Sequence, residues 1–279
     1  MPTLRLARPD DVDGFLRGLR QALALRLDPA DVAWDDGSQP QASLLADEAD
    51  AAPPPAAPDG PPLLLPRSFL ALARCALLHD DPGRHRLVHA LAAAILRDRR
   101  HWADALDPSR LRLERMAREV RREIHKMHAF VRFRVVADAA GECRVAWFEP
   151  AHHVVRAAAP FFVDRFAAMR WALLTPRGCV HWDLRALAFG PPASKADAPA
   201  ADDGEALWLA YYRSIFNPAR VKLAMMQREM PVRFWKNLPE AAQVTAMLQQ
   251  ADARAFRMQA STDGPRRHRP GKGMRPERG

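Results

Sequence analysis

Helical and strand periodicities alternate along this chain in the order helix, hairpin, helix, hairpin, and that order predicts an α+β fold. Two local observations support it. The stretch from Ser109 to Phe148 passes from a 3.6-residue apolar period into strict two-residue alternation. Farther on, Trp171 to Asp183 reads as two short strands around Pro176-Arg177-Gly178. The expected architecture is a mostly antiparallel sheet of two hairpins packed with helices, with helical N- and C-terminal parts. The expected divisions are an N-terminal strand and helix segment (1–34), an acidic Pro/Ala-rich linker (35–64), an α+β core with a helical C-terminal part (65–258) and a disordered basic tail (259–279).

The 279 residues carry a net charge of +9, with 48% hydrophobic residues, enough for one sizeable core or two small ones. No apolar run reaches the roughly 20 residues of a membrane span. The N-terminus has no secretory h-region, so a cytoplasmic location is expected. Cys75, Cys143 and Cys179 are widely spaced without a CxxC, which argues against a disulfide framework or a structural zinc site.

Leu4 to Leu6 suits a short strand. Asp10-Asp11 opens a helix with Phe15, Leu19 and Leu23 on one face. Trp34 anchors the turn that follows. Asp35 to Pro62 holds six acids, seven prolines and no Lys or Arg, the composition of a disordered linker. Pro66 to His79 predicts a helix capped by Ser68. Asp80-Asp81-Pro82-Gly83 is a turn placing Pro82 at a helix N1 position, and a second helix runs to Arg99 with Leu87, Leu91 and Ile95 inward. His85 and His89, four residues apart, read as a solvated helix face.

Asp107-Pro108 starts the central helix, with Leu113, Met116, Val120, Ile124 and Met127 as its buried stripe. Glu114 with Arg118, and Arg115 with Glu119, are spaced to pair. In the strand that follows, Val131, Phe133 and Val135 share one face, and Arg132 and Arg134 the other. Pro160 starts a further helix with Phe162, Phe166 and Met169 as core. Gly190 to Gly204 reads as a linker loop. Helices are expected over Glu205 to Phe216, from Asn217-Pro218 to about Met230, and after Pro231 and Pro239 as far as Met258.

Charge is segregated. Between Ser109 and Arg134, nine Lys and Arg face three Glu. A surface built from Arg121, Arg122, Lys126, Arg132 and Arg134 suits phosphate contact; arginines shielding a solvent-exposed sheet face are the competing reading. Tyr211, Tyr212, Arg220, Trp235 and Lys236 could add stacking and phosphate neutralisation, or pack the helical part, with Asn217 and Asn237 as helix caps. The last fifteen residues, with six basic groups and one acid, suit a nonspecific polyanion tail. For acid–base chemistry the candidates are His125 and His153 with Glu149 or Asp183. His152 and His181 stand near this set in sequence, but no convergent metal site is expected from it.

The runs VRREIHKMHAFVRFR, AWFEPAHHVVRAAAPFFVDRFAAMRW, LLTP…HWD, LWLAYYRSIFNPARVK and MPVRFWKNLPEA resemble an uncharacterised bacterial family of DNA-metabolism proteins, over roughly Leu4 to Met258. Members of that family stand alone beside a radical-SAM protein, or follow a uracil-DNA-glycosylase-superfamily domain. The chain is similar to the stand-alone form. The resemblance implies a DNA repair or modification context and a radical-SAM partner. It brings no cofactor to this chain and no established catalytic residues.

Overall fold

The computed structural model describes residues 2–38, 64–138, 141–199 and 223–241. The chain divides into two compact units, Met1–Ala201 and Asp202–Gly279. Most of the acidic linker, the helix expected over Glu205 to Phe216, the Asn217-Pro218 start, the helix end at Met258 and the basic tail lie outside the described residues. No described helix is long and apolar enough to cross a membrane.

The first unit joins a helical layer to a five-stranded sheet. Helix α1 (Val12–Ala24) starts where Asp11 accepts a hydrogen bond from the Gly14 N–H at 2.9 Å. It buries Phe15, Leu19 and Ala22. Before it lies β1 (Thr3–Arg5), which pairs in parallel with β2 (Ala33–Asp35). Helices α2 (Arg67–Ala76) and α3 (Arg84–Arg97) form a helical hairpin, followed by the single turn α4 (Arg100–Ala103). Pro66 precedes α2 without a side-chain cap, and Ser68 instead accepts the Trp102 indole N–H at 2.9 Å. Gly83, rather than Pro82, stands at the start of α3, its N–H bound to the Asp81 carboxylate.

Helix α5 (Pro108–Phe130) has 23 residues and so spans about 34 Å. Asp107 caps it by accepting the Arg110 N–H at 2.9 Å. Its buried face carries Leu113, Met116, Val120 and Met127. Phe15, Phe69, Val88, Ile95, Leu113 and Met116 meet in one apolar core between α1, α2, α3 and α5. Burial of this surface supplies the main drive for the layer.

The sheet runs β3 (Phe133–Asp138), β4 (Gly141–Trp147), β5 (Trp171–Leu174), β6 (Cys179–Trp182), β7 (Leu187–Gly190) in spatial order. Three pairings are antiparallel; β4 and β5 are parallel, with Arg144 opposite Trp171. The sheet is therefore mixed. The cause is the crossover: β4 leaves through a loop and α6 (Val155–Arg165) before the chain re-enters as β5, and such a connection returns a parallel strand. Helix α6 begins at Val155, not at Pro160. Pro160 lies within it on an exposed position, while Ala158, Ala159 and Phe162 stay buried. Proline gives up one helical hydrogen bond there, and the packing of its neighbours holds the turn. Phe133, Phe162, Phe166 and Trp171 pack between sheet and helix, with Phe133 and Phe166 edge to face at 5.3 Å. Val135 is exposed despite its alternation with Phe133, because β3 is the sheet edge and its far half lies uncovered.

In the second unit, Leu223–Glu229 is helical and Val232–Asn237 forms 3-10 turns that bury Phe234.

Candidate nucleic-acid interface and the histidine cluster beside it

Arg115, Arg118, Arg122 and His125 are all exposed. Their 3-4-3 spacing aligns them along one side of α5. The three acids of this helix have their bonds elsewhere, although Glu119 also lies within the field of Arg115. Glu114 pairs with Arg110 at 3.0 Å, and Glu119 bonds His79 at 2.9 Å. Glu123 is buried and accepts the Ala151 N–H at 2.8 Å. In place of the expected Glu114–Arg118 and Arg115–Glu119 ion pairs, Glu114 thus meets Arg110 and Glu119 meets His79, with the Arg115 charge still acting on Glu119. No ion pair holds Arg115, Arg118 or Arg122 among the described residues.

The other basic candidates have different surroundings. Lys126 is not a surface cation: it is buried, with Nζ 5.6 Å from the Phe130 ring centroid. The helix turns it inward beside Met127, and its four-carbon stem packs there. Arg121 is exposed, and its charge acts on the Cys75 thiol, which itself donates to the Ala117 carbonyl at 3.3 Å. Arg132 donates to the Ala129 and Val131 carbonyls, and Arg134 to that of Pro199 at 2.6 Å. Lys236 closes the 3-10 segment of the second unit. Trp235 there donates its indole N–H to the Met230 carbonyl. Arg220, Tyr211, Tyr212 and Asn217 lie outside the described residues.

A dense polar cluster joins the α2–α3 turn, α5, the loop after β4 and the β5–β6 turn. The loop is anchored on several sides. The His153 N–H reaches the Leu78 carbonyl, Ala151 bonds Glu123, and Arg177 Nε reaches the Pro150 carbonyl at 3.1 Å. Arg177 also bonds Asp80 at 2.7 Å. Burial alone would raise the Asp80 carboxyl, but the hydrogen bond and charge of Arg177 hold it below its ordinary range. The rings of His79 and His152 lie 4.1 Å apart.

Ligand atoms of His79, Glu119 and His152 approach within 4.8 Å of one another, a spacing compatible with a metal. The hydrogen bonds oppose that use. A backbone N–H only donates, so His79 Nδ1, which receives the Asp81 N–H at 2.9 Å, holds a lone pair. Its Nε2 then carries the proton, donates to Glu119, and has no lone pair for a cation. His152 Nδ1 accepts the Asp80 N–H at 3.3 Å, with the same consequence. His153 Nε2 faces the donating Arg177 Nη1 at 3.3 Å. Burial pushes His152 down to about 4, helped by His79; burial, with Arg84 and Arg177, pushes His153 to about 4. His152 and His153 are neutral at neutral pH with their basic nitrogens engaged. They form a joint between elements rather than a general base.

Of the sequence candidates for acid–base chemistry, His153 lies in this cluster. Glu149, four residues before it, accepts the Trp147 indole N–H at 3.0 Å. His125 stands on the outer side of α5, and Asp183 accepts the Arg185 and Ala186 N–H groups in the β6–β7 turn. Neither His125 nor Asp183 shares a hydrogen bond with His153. His181 is exposed on β6.

His85 and His89 are not solvated. They are 4% and 0% exposed, and the N-terminal segment covers them. Phe15 lies 5.1 Å from His85, and Trp34 meets His89 edge-on at 6.0 Å. Beside them Arg84, also buried, bonds the Leu77, Asp81 and Pro9 carbonyls and the Asp36 carboxylate. Sequence reasoning passed over His79, Asp80, Arg84 and Arg177. The signal available was the concentration of charged residues in turns flanking the His152-His153 pair.

A model of the DUF4130 family, a domain of unknown function, matches residues 82–240, more than half of the chain. The chain belongs to the DUF4130 family. No curated protein and no solved structure matches it. The DUF4130 match takes in α3, α5, the whole five-stranded sheet and the loop bearing His152 and His153. His79, Asp80, Asp36 and the N-terminal strand pair lie before the DUF4130 match.

Proposed function

We propose that this protein binds nucleic acid along the outer side of α5 and acts in DNA repair or modification beside a radical-SAM protein. One observation carries the reading: Arg115, Arg118 and Arg122 form an exposed stripe that no ion pair holds among the described residues, the helical acids bonding Arg110, His79 and Ala151. Arg115 to Arg122 spans about 10 Å, the axial length of about three phosphates of one strand. The net charge of +9 favours the same class of partner. Arg132 and Arg134 extend the positive field from the end of α5, although each is also bonded to backbone carbonyls. The repair context and the radical-SAM partner are supported by the sequence runs described above.

The alternatives are an enzyme in its own right, using His153 with a carboxylate, and a protein-interaction scaffold without nucleic-acid contact. The engaged lone pairs of the histidine cluster favour the binding role over the enzymatic one. The test is binding of single-stranded, duplex and damaged DNA by the full chain over a salt series. The binding reading requires affinity that falls steeply with salt and is weakened in Arg118→Glu/Arg122→Glu. Salt-insensitive binding, or none by the folded protein, removes it. Turnover of a DNA substrate that is abolished in His153→Gln but retained in the α5 variant establishes the enzymatic reading.

A further inference from the structure

A cavity of about 530 Å³ is bordered by His153 and Arg177. Its walls come from the loop after β1, the end of β2, the first turn of α6, the β5–β6 turn and the end of β7. Arg8, Arg156 and Arg177 line it with one carboxylate, Asp10; Arg177 is paired with Asp80, which leaves two guanidinium groups to one carboxylate, or +1. Asp10 takes Arg8 Nε at 2.9 Å and Arg156 Nε at 3.4 Å. One carboxylate thus pairs with two guanidinium groups, each closest through its inner nitrogen. Their outer Nη groups have no hydrogen-bond partner among the described residues. The Arg156 guanidinium lies 3.8 Å over the Phe189 ring, which fixes its plane.

We infer that this cavity binds a phosphate monoester of nucleotide size, with the outer edges of the Arg8 and Arg156 guanidinium groups as its two forks. Paired forks match the oxygens of a phosphate. The volume suits a small polar ligand. Three glycines keep side chains out of its wall: Gly37 and Gly178, at φ +73° and +111°, and Gly190. Burial, and then the neighbouring charge of Arg8, lower the Arg156 pKa from its ordinary value, and an anion seated between them would relieve that repulsion. The choice of a nucleotide among phosphate esters rests on the nucleic-acid reading of α5.

The experiment is calorimetric titration of the full chain with a deoxynucleoside 5′-monophosphate, the unphosphorylated deoxynucleoside and inorganic phosphate. The same chain is titrated with 5′-phosphorylated and 5′-hydroxyl oligonucleotides. The monophosphate is expected to bind at least tenfold more tightly than the nucleoside and more tightly than inorganic phosphate. Arg8→Gln/Arg156→Gln should weaken it at least tenfold. Preference for the 5′-phosphorylated oligonucleotide over the free monophosphate makes the ligand a strand end; the reverse makes it a free nucleotide. Equal binding of nucleoside and monophosphate, or monophosphate binding unmoved by Arg8→Gln/Arg156→Gln, overturns the assignment. Arg118→Glu/Arg122→Glu should leave monophosphate binding intact, so a failure of the α5 reading shows separately, as DNA binding that this variant does not alter.

Discussion

Arg177 and Asp80, nearly a hundred residues apart in sequence, bond at 2.7 Å and fasten the β5–β6 turn to the α2–α3 turn. The contact also fixes His153, whose Nε2 faces the same Arg177 nitrogen at 3.3 Å. Asp80 is 50% exposed, so the pair is partly screened and its coupling should be about 1 kcal/mol. A double-mutant cycle with Arg177→Ala and Asp80→Ala in urea measures it. A coupling of zero would show that the two turns are held by the other bonds of the loop alone.

The buried Arg84 is expected to matter more. It ties Pro9 and Asp36 of the N-terminal segment to the end of α2. Arg84→Ala leaves the Asp36 carboxylate buried without its cation and should cost about 3–5 kcal/mol. Limited proteolysis should then cut first within residues 2–38. A loss below about 1 kcal/mol, with the segment still protected, would contradict the role given to Arg84.

Acid should destabilise the first unit before its carboxylates titrate. Burial, with Arg84, pushes His85 down from 6.5 to about 3, and His152 and His153 sit at about 4. Each folded value lies below the unfolded one, so the unfolded chain takes up protons first. Stability is full above 6.5 and is lost as pH falls from there toward 4 and 3. Asp36, Asp80, Asp81 and Glu119, all held low in the folded protein, add a further loss below the ordinary carboxylate range. The urea midpoint should drop between about pH 7 and about pH 5. A midpoint flat over that interval would refute the burial argument for these histidines.

On α5, charge matters by position. Arg118→Glu/Arg122→Glu should lower the salt slope of DNA binding by about 2. Arg132→Gln/Arg134→Gln removes two cations already bonded to backbone carbonyls, and should weaken binding less while lowering the thermal midpoint. A larger effect of the Arg132/Arg134 pair would place the contact on the hairpin instead.

Local signals were legible where the chain satisfies itself within a few residues. Asp11 and Asp107 cap the helices they were expected to cap, and Leu113, Met116, Val120 and Met127 face inward as their spacing requires. His85 and His89 were misread because the residues covering them, Phe15 and Trp34, come from a distant segment. Lys126 was misread for a related reason. Its charge marked it as surface, but its place on the helix next to Met127 turns it inward.

The sequence by itself determined the α+β class, the amphipathic helices and the excess of positive charge, because periodicity, capping and composition are local or summed properties. Only the tertiary structure decided that β4 and β5 run parallel and that Glu114, Glu119 and Glu123 of α5 bond Arg110, His79 and Ala151. It also decided that His79, His152 and His153 meet Asp80 and Arg177, and that Arg8 and Arg156 share Asp10. Those outcomes depend on which turns come together, and that is set by burial of apolar faces far apart in the chain.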